Sequence, residues 1–213
     1  AQAFAKHLSE AGITVDGEPS RAAASGGARE VASVSSAPLS DILALSLKTS
    51  DNTMTEVEGR LVAVHAKQSA DFAGASKAVI AQLGKDGFDT SGLTLLDASG
   101  LAKGNKVPAR LLAQILAKAA GGEGGSAGRT LIADLPVAAL DGTLTNRLHD
   151  TTAAGTVRAK TGSLERTSSL AGVVTTADGR LLAFSILAND FPANGGGAAA
   201  AVIDSRFVAP LAS

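Results

Sequence analysis

The apolar residues of this chain change period part-way along it. Up to about residue 148 they recur every three or four positions, the spacing of an amphipathic helix. Phe4 and Leu8 predict a helix over residues 1–11, stopped by Gly12. Residues 13–15 read as a short extended piece, residues 16–28 as a Gly-, Ser- and Ala-rich loop, and residues 30–35 alternate weakly, as a strand would. A helix entered at Pro38 has Leu39, Ile42, Leu43 and Leu47 as its buried set, and Pro suits a first turn. The next carries Met54, Val57, Leu61 and Val64, and Thr53 and Glu56 have the spacing of a capping box at its start. Val79 and Leu83 predict a helix over residues 73–83, and Leu111, Leu112, Ile115 and Leu116 one over residues 105–120. The Gly-rich residues 121–128 read as a mobile link, and residues 131–148, with Leu135, Leu140, Leu144 and Leu148, as short helical turns.

Beyond residue 150 the pattern becomes that of a sheet. Val157 to Leu164, Ser168 to Thr175 and Arg180 to Leu187 are strand-like runs, and Asp178-Gly179 lies between the last two. Asp-Gly between apolar runs is a strong hairpin signal. These runs predict an antiparallel meander. Alternation along its first strand points Arg158 and Lys160 one way and Val157, Ala159 and Thr161 the other. Gly162 permits close approach of a backbone or ligand. After the Gly195-Gly196-Gly197 break, residues 198–208 predict a last helix covering the sheet. The expected fold is α+β, an α/β sandwich: a mostly helical part over about residues 36–150, then the strands and a C-terminal helix over about 151–213. No internal repeat is visible.

Composition narrows the function classes. At 213 residues with 45% hydrophobic content, the chain can bury a sizeable core. Lys and Arg (19) nearly balance Asp and Glu (20), which argues against a nucleic-acid partner. The absence of cysteine rules out disulfides, thiol catalysis and Cys-based metal sites. His7, His65 and His149 have no ligand-spaced partners, so neither a metal nor a cofactor is expected. No apolar run approaches the ~18 residues of a membrane span, and the N-terminal residues lack a signal-peptide pattern.

Two short constellations carry chemistry. Ser50-Asp51-Asn52 falls in a tight connection between two predicted helices, and Lys160-Thr161-Gly162 falls on the first strand of the meander. Each is weak alone: at ordinary residue frequencies Ser-x-Asn occurs by chance in about every second chain of this length. Helix capping is an equally simple explanation for Ser50 and Asn52, and solvent exposure for Lys160. Together they suit acyl transfer through a serine, which needs a proton acceptor, a proton path to the leaving nitrogen and donors for the oxyanion.

In their order and context the two triplets resemble the second and third motifs of the penicillin-recognising serine enzymes. The longer stretches LTLLDASGLAKGN (residues 93–105) and LPVAALDGTLTNRL, followed by AAGTVRAKTGSLERTSSLAGVVTTADGRLLAFSILAN up to residue 189, are similar to the D-alanyl-D-alanine carboxypeptidase/endopeptidase family, the class C low-molecular-mass penicillin-binding proteins. The resemblance covers roughly residues 30–210. It implies a serine β-lactamase/DD-peptidase-like fold and cleavage of D-alanyl bonds in peptidoglycan stem peptides through an acyl-enzyme. It also implies acylation by β-lactams and an extracytoplasmic location. By position, Ser50 would relay protons, Asn52 would bind the substrate amide and Lys160 would be the electrostatic partner. Thr161, Gly162 and Ser163 would hold the substrate carboxylate and oxyanion, with Lys103 lining the pocket.

The sequence departs from that family at one point. No serine here is followed by Lys three positions on, so the Ser-x-x-Lys motif that holds the nucleophile and its base is missing. Ser163-Leu164-Glu165-Arg166 is nearest, and arginine cannot serve as a base. The expectation is that this chain is the C-terminal portion of a longer enzyme, inactive by itself, whose N-terminal part supplies the nucleophile. Two rivals stand beside it. A class A β-lactamase would need a general-base Glu between the motifs, where only Glu56, Glu58 and Glu123 occur. A cell-wall-binding homologue without catalysis would lack Ser-x-x-Lys altogether.

Overall fold

The computed structural model describes residues 1–213 apart from Ala24. It divides into two compact units, Ala1–Ser36 and Ala37–Ser213. The first contains helix α1 (Gln2–Glu10), which ends where Gly12 takes a positive φ of 79°. The strand expected over residues 30–35 does not form. Val31 and Val34 are 87% and 97% exposed, because alternation without a partner strand leaves nothing to bury against.

The second unit begins with α2 (Leu39–Thr49), α3 (Asn52–His65) and α4 (Phe72–Lys85). Helices α3 and α4 pack together, and the buried residues are small ones, Gly59 and Ala63 on α3 and Gly74, Ala75 and Ala78 among those on α4. A Cβ on Gly59 would fall 2.7 Å from Ala98 Cβ, so the approach of the loop that carries Ala98 requires glycine there. The expected apolar stripe of α3 is therefore corrected: Val57, Leu61 and Val64 are exposed, and the small-residue face is the buried one. Leu39 of α2 is likewise exposed.

Helix α5 (Ala109–Ala120) starts four residues later than the pattern suggested. Residues preceding proline are steered out of helical geometry, and Lys106 instead pairs with Thr94 in a two-way backbone bridge of 2.8 Å each way. The glycine-rich link is also corrected. Its second half is the start of α6 (Gly125–Asp134), and Gly128 packs on Ala119 so closely that a Cβ would lie 2.9 Å from Ala119 Cα. Of the helical turns expected over 131–148, α6 takes the first residues and a 3₁₀ turn at Gly142–Leu144 the later ones. Leu135, Leu144 and Leu148 are buried and Leu140 is exposed.

Strands β1 (Val157–Leu164), β2 (Thr167–Thr175) and β3 (Leu181–Asn189) form the antiparallel meander, in the order β1-β2-β3. The β2–β3 turn closes with Gly179 N–H donating to Thr176 O at 2.9 Å, and Gly179 sits at φ 81°. That Gly conformation is why Asp-Gly signals a hairpin. One face of the sheet presents Val157, Ala159, Leu170, Val174 and Phe184 to Ile203, Val208 and Ala212 of the C-terminal segment. That segment runs as α7 (Gly196–Val202), a wider π turn (Ile203–Val208) and a final 3₁₀ turn. Helix α5 packs on β2 and β3, and its buried Leu111, Leu116 and Ala119 stand outside the first cluster. Alternation along the strands places them over the other face. The result is a sheet held between helices, the α+β sandwich expected.

Candidate active site

The α2–α3 connection is two residues long. Ser50 ends α2 in the left-handed region (φ 56°, ψ 45°), and Asp51 caps α3. The Asp51 carboxylate accepts the Met54 N–H at 2.9 Å, while its carbonyl accepts the Thr55 N–H and hydroxyl. The capping box expected from Thr53 and Glu56 is thus replaced by a single Asp cap. Glu56 reaches elsewhere, accepting the Ala98 and Ser99 N–H groups at 3.1 and 2.8 Å. Because Asp51 takes the capping task, the Ser50 hydroxyl is not spent on it.

That hydroxyl meets Lys160. The Lys160 ammonium donates to Ser50 Oγ at 2.7 Å and to Thr161 O at 3.0 Å. Burial lowers the Lys160 pKa below the ordinary lysine value, since the charged form is disfavoured out of water. An amine so tuned, bonded to a hydroxyl, can pass a proton through that hydroxyl.

Strand geometry fixes what surrounds the pair. Ala159 N–H donates to Pro136 O, and Val157 O accepts from Ala138, so these groups point away from β2. Antiparallel strands alternate this direction every second residue, which turns the N–H groups of Thr161 and Ser163 to the same outer edge. Gly162 lies opposite Ser169, whose hydroxyl a Cβ at 162 would strike. The close approach at Gly162 is therefore to the neighbouring strand. Asn52 is exposed at the first position of α3, one residue from the Asp51 cap. Lys103 is solvated and stands 3.9 Å from Glu165 near the β1–β2 turn. Such an exposed pair contributes little to stability. The structure thus brings together Ser50, Lys160 and Thr161. Ser163 lies on the same strand edge, and Lys103 shows no contact with the Ser50–Lys160 pair.

Three residues that sequence reasoning did not single out stand beside them. Thr161 donates its hydroxyl to Thr143 Oγ1 at 2.9 Å. Lys48 and Asp141 form an ion pair of 2.7 Å. Burial raises the Asp141 pKa, but hydrogen bonds from Lys48 and the Val137 N–H outweigh it and hold the carboxyl below its usual range. Asp141-Gly142-Thr143 is an Asp-Gly turn signal of its own, and that was the available cue. The unit also has a shallow apolar concavity of about 600 Å³ lined by Phe72, Ser76, Ile80 and Leu96. It contains none of the groups above. The half-buried amine that touches a hydroxyl, Lys160 on Ser50, lies outside it.

With this geometry in place, the relatives are informative. The chain matches the D-Ala-D-Ala carboxypeptidase 3 (S13) family over residues 1–207, and it belongs to that family. It is 44% identical over 168 residues to carboxypeptidase DacB of Mycolicibacterium smegmatis, covering 77% of this chain and 36% of that protein. It is 35% identical over 196 residues to a D-alanyl-D-alanine carboxypeptidase of an Actinomadura species, covering 87% and 35%. Among solved structures, penicillin-binding protein 4 (dacB) of Haemophilus influenzae, complexed with a β-lactam, superposes with a TM-score of 0.79 at 31% identity. That match covers 87% of this chain and 43% of the other. The chain therefore spans well under half the length of these relatives.

Proposed function

We propose that this chain contributes the second and third motifs of a serine-type D-Ala-D-Ala carboxypeptidase/endopeptidase that acts on peptidoglycan stem peptides through an acyl-enzyme. The observation that carries the reading is the 2.7 Å bond between Lys160 Nζ and Ser50 Oγ, formed by two motifs far apart in sequence. In this reading Ser50 relays a proton toward the leaving nitrogen, and the lowered pKa of Lys160 makes its ammonium a readier proton donor to that hydroxyl than an ordinary lysine. Asn52, exposed beside Ser50, binds the substrate amide. Thr161 and Ser163 hold the terminal carboxylate, and the outward N–H of Ser163 serves as an oxyanion donor. Gly162 leaves room for Ser169 of β2 so that Thr161 and Ser163 stay in place beside the site, and Lys103 borders the pocket.

The nucleophile and its base come from a Ser-x-x-Lys segment outside these 213 residues, and β-lactams acylate that serine. The site works where peptidoglycan lies, outside the cytoplasm. The test is mass spectrometry after incubation with benzylpenicillin. The chain alone should remain unmodified. The same chain combined with the Ser-x-x-Lys-bearing portion of its own full-length gene product should acquire one penicilloyl group on that portion. A stable adduct on the isolated chain would refute the assignment. The lack of Ser-x-x-Lys here also supports a second reading, a homologue that binds cell wall without cleaving it. Sequencing the gene upstream of Ala1 separates the two, since only the first requires the motif there.

A further inference from the structure

The Ser50–Lys160 bond joins the end of a helix to a strand. What spans them is the segment between α6 and β1. Lys48, two residues before Ser50, donates to both carboxylate oxygens of Asp141 (2.9 and 2.7 Å) and to Leu135 O (2.7 Å). Asp141 also accepts the Val137 N–H at 2.7 Å. Two residues beyond Asp141, Thr143 receives the Thr161 hydroxyl of β1, and Val137 bridges to Arg158 of the same strand. Between Asp141 and Thr143, Gly142 sits at φ 57° with its Cα so near α2 that a Cβ would lie 2.8 Å from Lys48 O.

We infer that the Lys48–Asp141 ion pair and Thr143 form a strut that sets the separation of Ser50 from Lys160, with Lys48, Asp141 and Thr143 as positioning residues for the site. The inference rests on the reading above only for its purpose. The strut itself is tested without turnover. Each end of the ion pair stands two residues from a hydroxyl of the site, so a shift at either end moves Ser50 or Thr161 relative to the Lys160 ammonium. Loosening the strut lets water reach Lys160.

The measurement is the titration of Lys160, followed by the ¹³Cε signal of labelled lysine in the 213-residue chain. Asp141→Asn keeps the side chain's shape and the acceptor for Val137 but removes the charge that holds Lys48. The sign of the effect distinguishes mechanisms. Loss of a negative charge acting through space would move the Lys160 midpoint down, whereas hydration of a loosened site moves it up, toward ordinary lysine. We expect an upward shift. Asp204→Asn is the control. It breaks the more buried pair (2.5 and 2.9 Å) between Asp204 of the C-terminal segment and Arg147, whose side chain makes no hydrogen bond to Lys48, Asp141 or Thr143, and should lower stability without moving Lys160. If Asp141→Asn fails to fold, Thr143→Val decides: it removes only the hydroxyl bond to Thr161 and should also raise the midpoint. A folded Asp141→Asn chain with an unchanged or lowered Lys160 midpoint would overturn the strut, as would an unchanged midpoint in Thr143→Val. Neither result bears on whether a β-lactam adduct forms.

Discussion

Lys160 Nζ lies 2.7 Å from Ser50 Oγ across 110 residues of chain, in surroundings that disfavour its charge. A lysine whose folded pKa is lowered opposes folding while it must carry its proton. The unfolded chain binds more protons between the lowered folded value and the ordinary value of about 10.4, so stability rises with pH across that window. Lys160→Met keeps most of the stem and removes the titration. Denaturant midpoints taken from neutral pH up to about 10.4 should climb more steeply for the unsubstituted chain than for Lys160→Met. Parallel curves would mean the amine is not desolvated.

The division of labour in the α2–α3 connection gives a second prediction. Asp51 is the cap, through its bond to the Met54 N–H, and Ser50 is not. Asp51→Ala should cost about 1 kcal/mol, the usual loss of an N-cap, read as a lower denaturant midpoint. Ser50→Ala should leave the α3 amide protons as protected from hydrogen exchange as before, while Asp51→Ala exposes those of its first turn. If Ser50→Ala frays α3 equally, the capping assignment is wrong.

These outcomes separate what the sequence discloses from what it hides. The meander was legible because Asp178-Gly179 encodes the turn locally and the strands alternate around it. The candidate site was legible because Ser50 and Lys160 each belong to a short triplet with its own context, between helices or on a strand. The strut was not legible. Lys48 and Asp141 are ordinary charged residues 93 positions apart, and many such pairs could be drawn from 213 residues. Nor could the stripe of α3 show its own direction. Val57, Leu61 and Val64 have the right period, but the helix turns Gly59 and Ala63 inward, and Ala98 lies so near Gly59 that a larger residue would not fit. Residues 30–35 alternate like a strand and lack a partner, and alternation alone does not supply one.

Gly142 should be intolerant of a side chain. At φ 57° any L-residue is strained by about 1–2 kcal/mol, and here an added Cβ also meets Lys48 O at 2.8 Å and Pro136 at 3.2 Å. Gly155 is the comparison, with φ 73° and open space around the added carbon. Gly155→Ala should lower stability by the conformational cost alone. Gly142→Ala should lose a further ~1–3 kcal/mol, the usual penalty of overpacking. Equal losses in urea melts would show that the contact with α2 relaxes without cost.

Asp97 anchors the loop between Thr94 and Lys106 and is 8% exposed. Its carboxylate accepts the Gly100 N–H at 3.0 Å, the Ala102 N–H at 2.7 Å and the Asn105 amide at 2.7 Å. Burial raises its pKa, but these donors together outweigh that effect and leave it lowered. A carboxyl lowered in the folded state stabilises the fold fully above its unfolded value of about 3.9. That contribution fades as pH falls through the folded value. Asp97→Asn turns one acceptor into a donor facing donors, so near neutral pH it should cost about 1–3 kcal/mol, the range for stranding a buried hydrogen-bonding group. Below a pH of about 3.9 the unsubstituted chain begins to lose the same contribution, so the gap between the two should narrow as acid is added. Paired denaturant melts over that range test this. A gap that stays constant into strong acid would show that Asp97 keeps its proton balance on unfolding and that the loop is held by its backbone bridge instead.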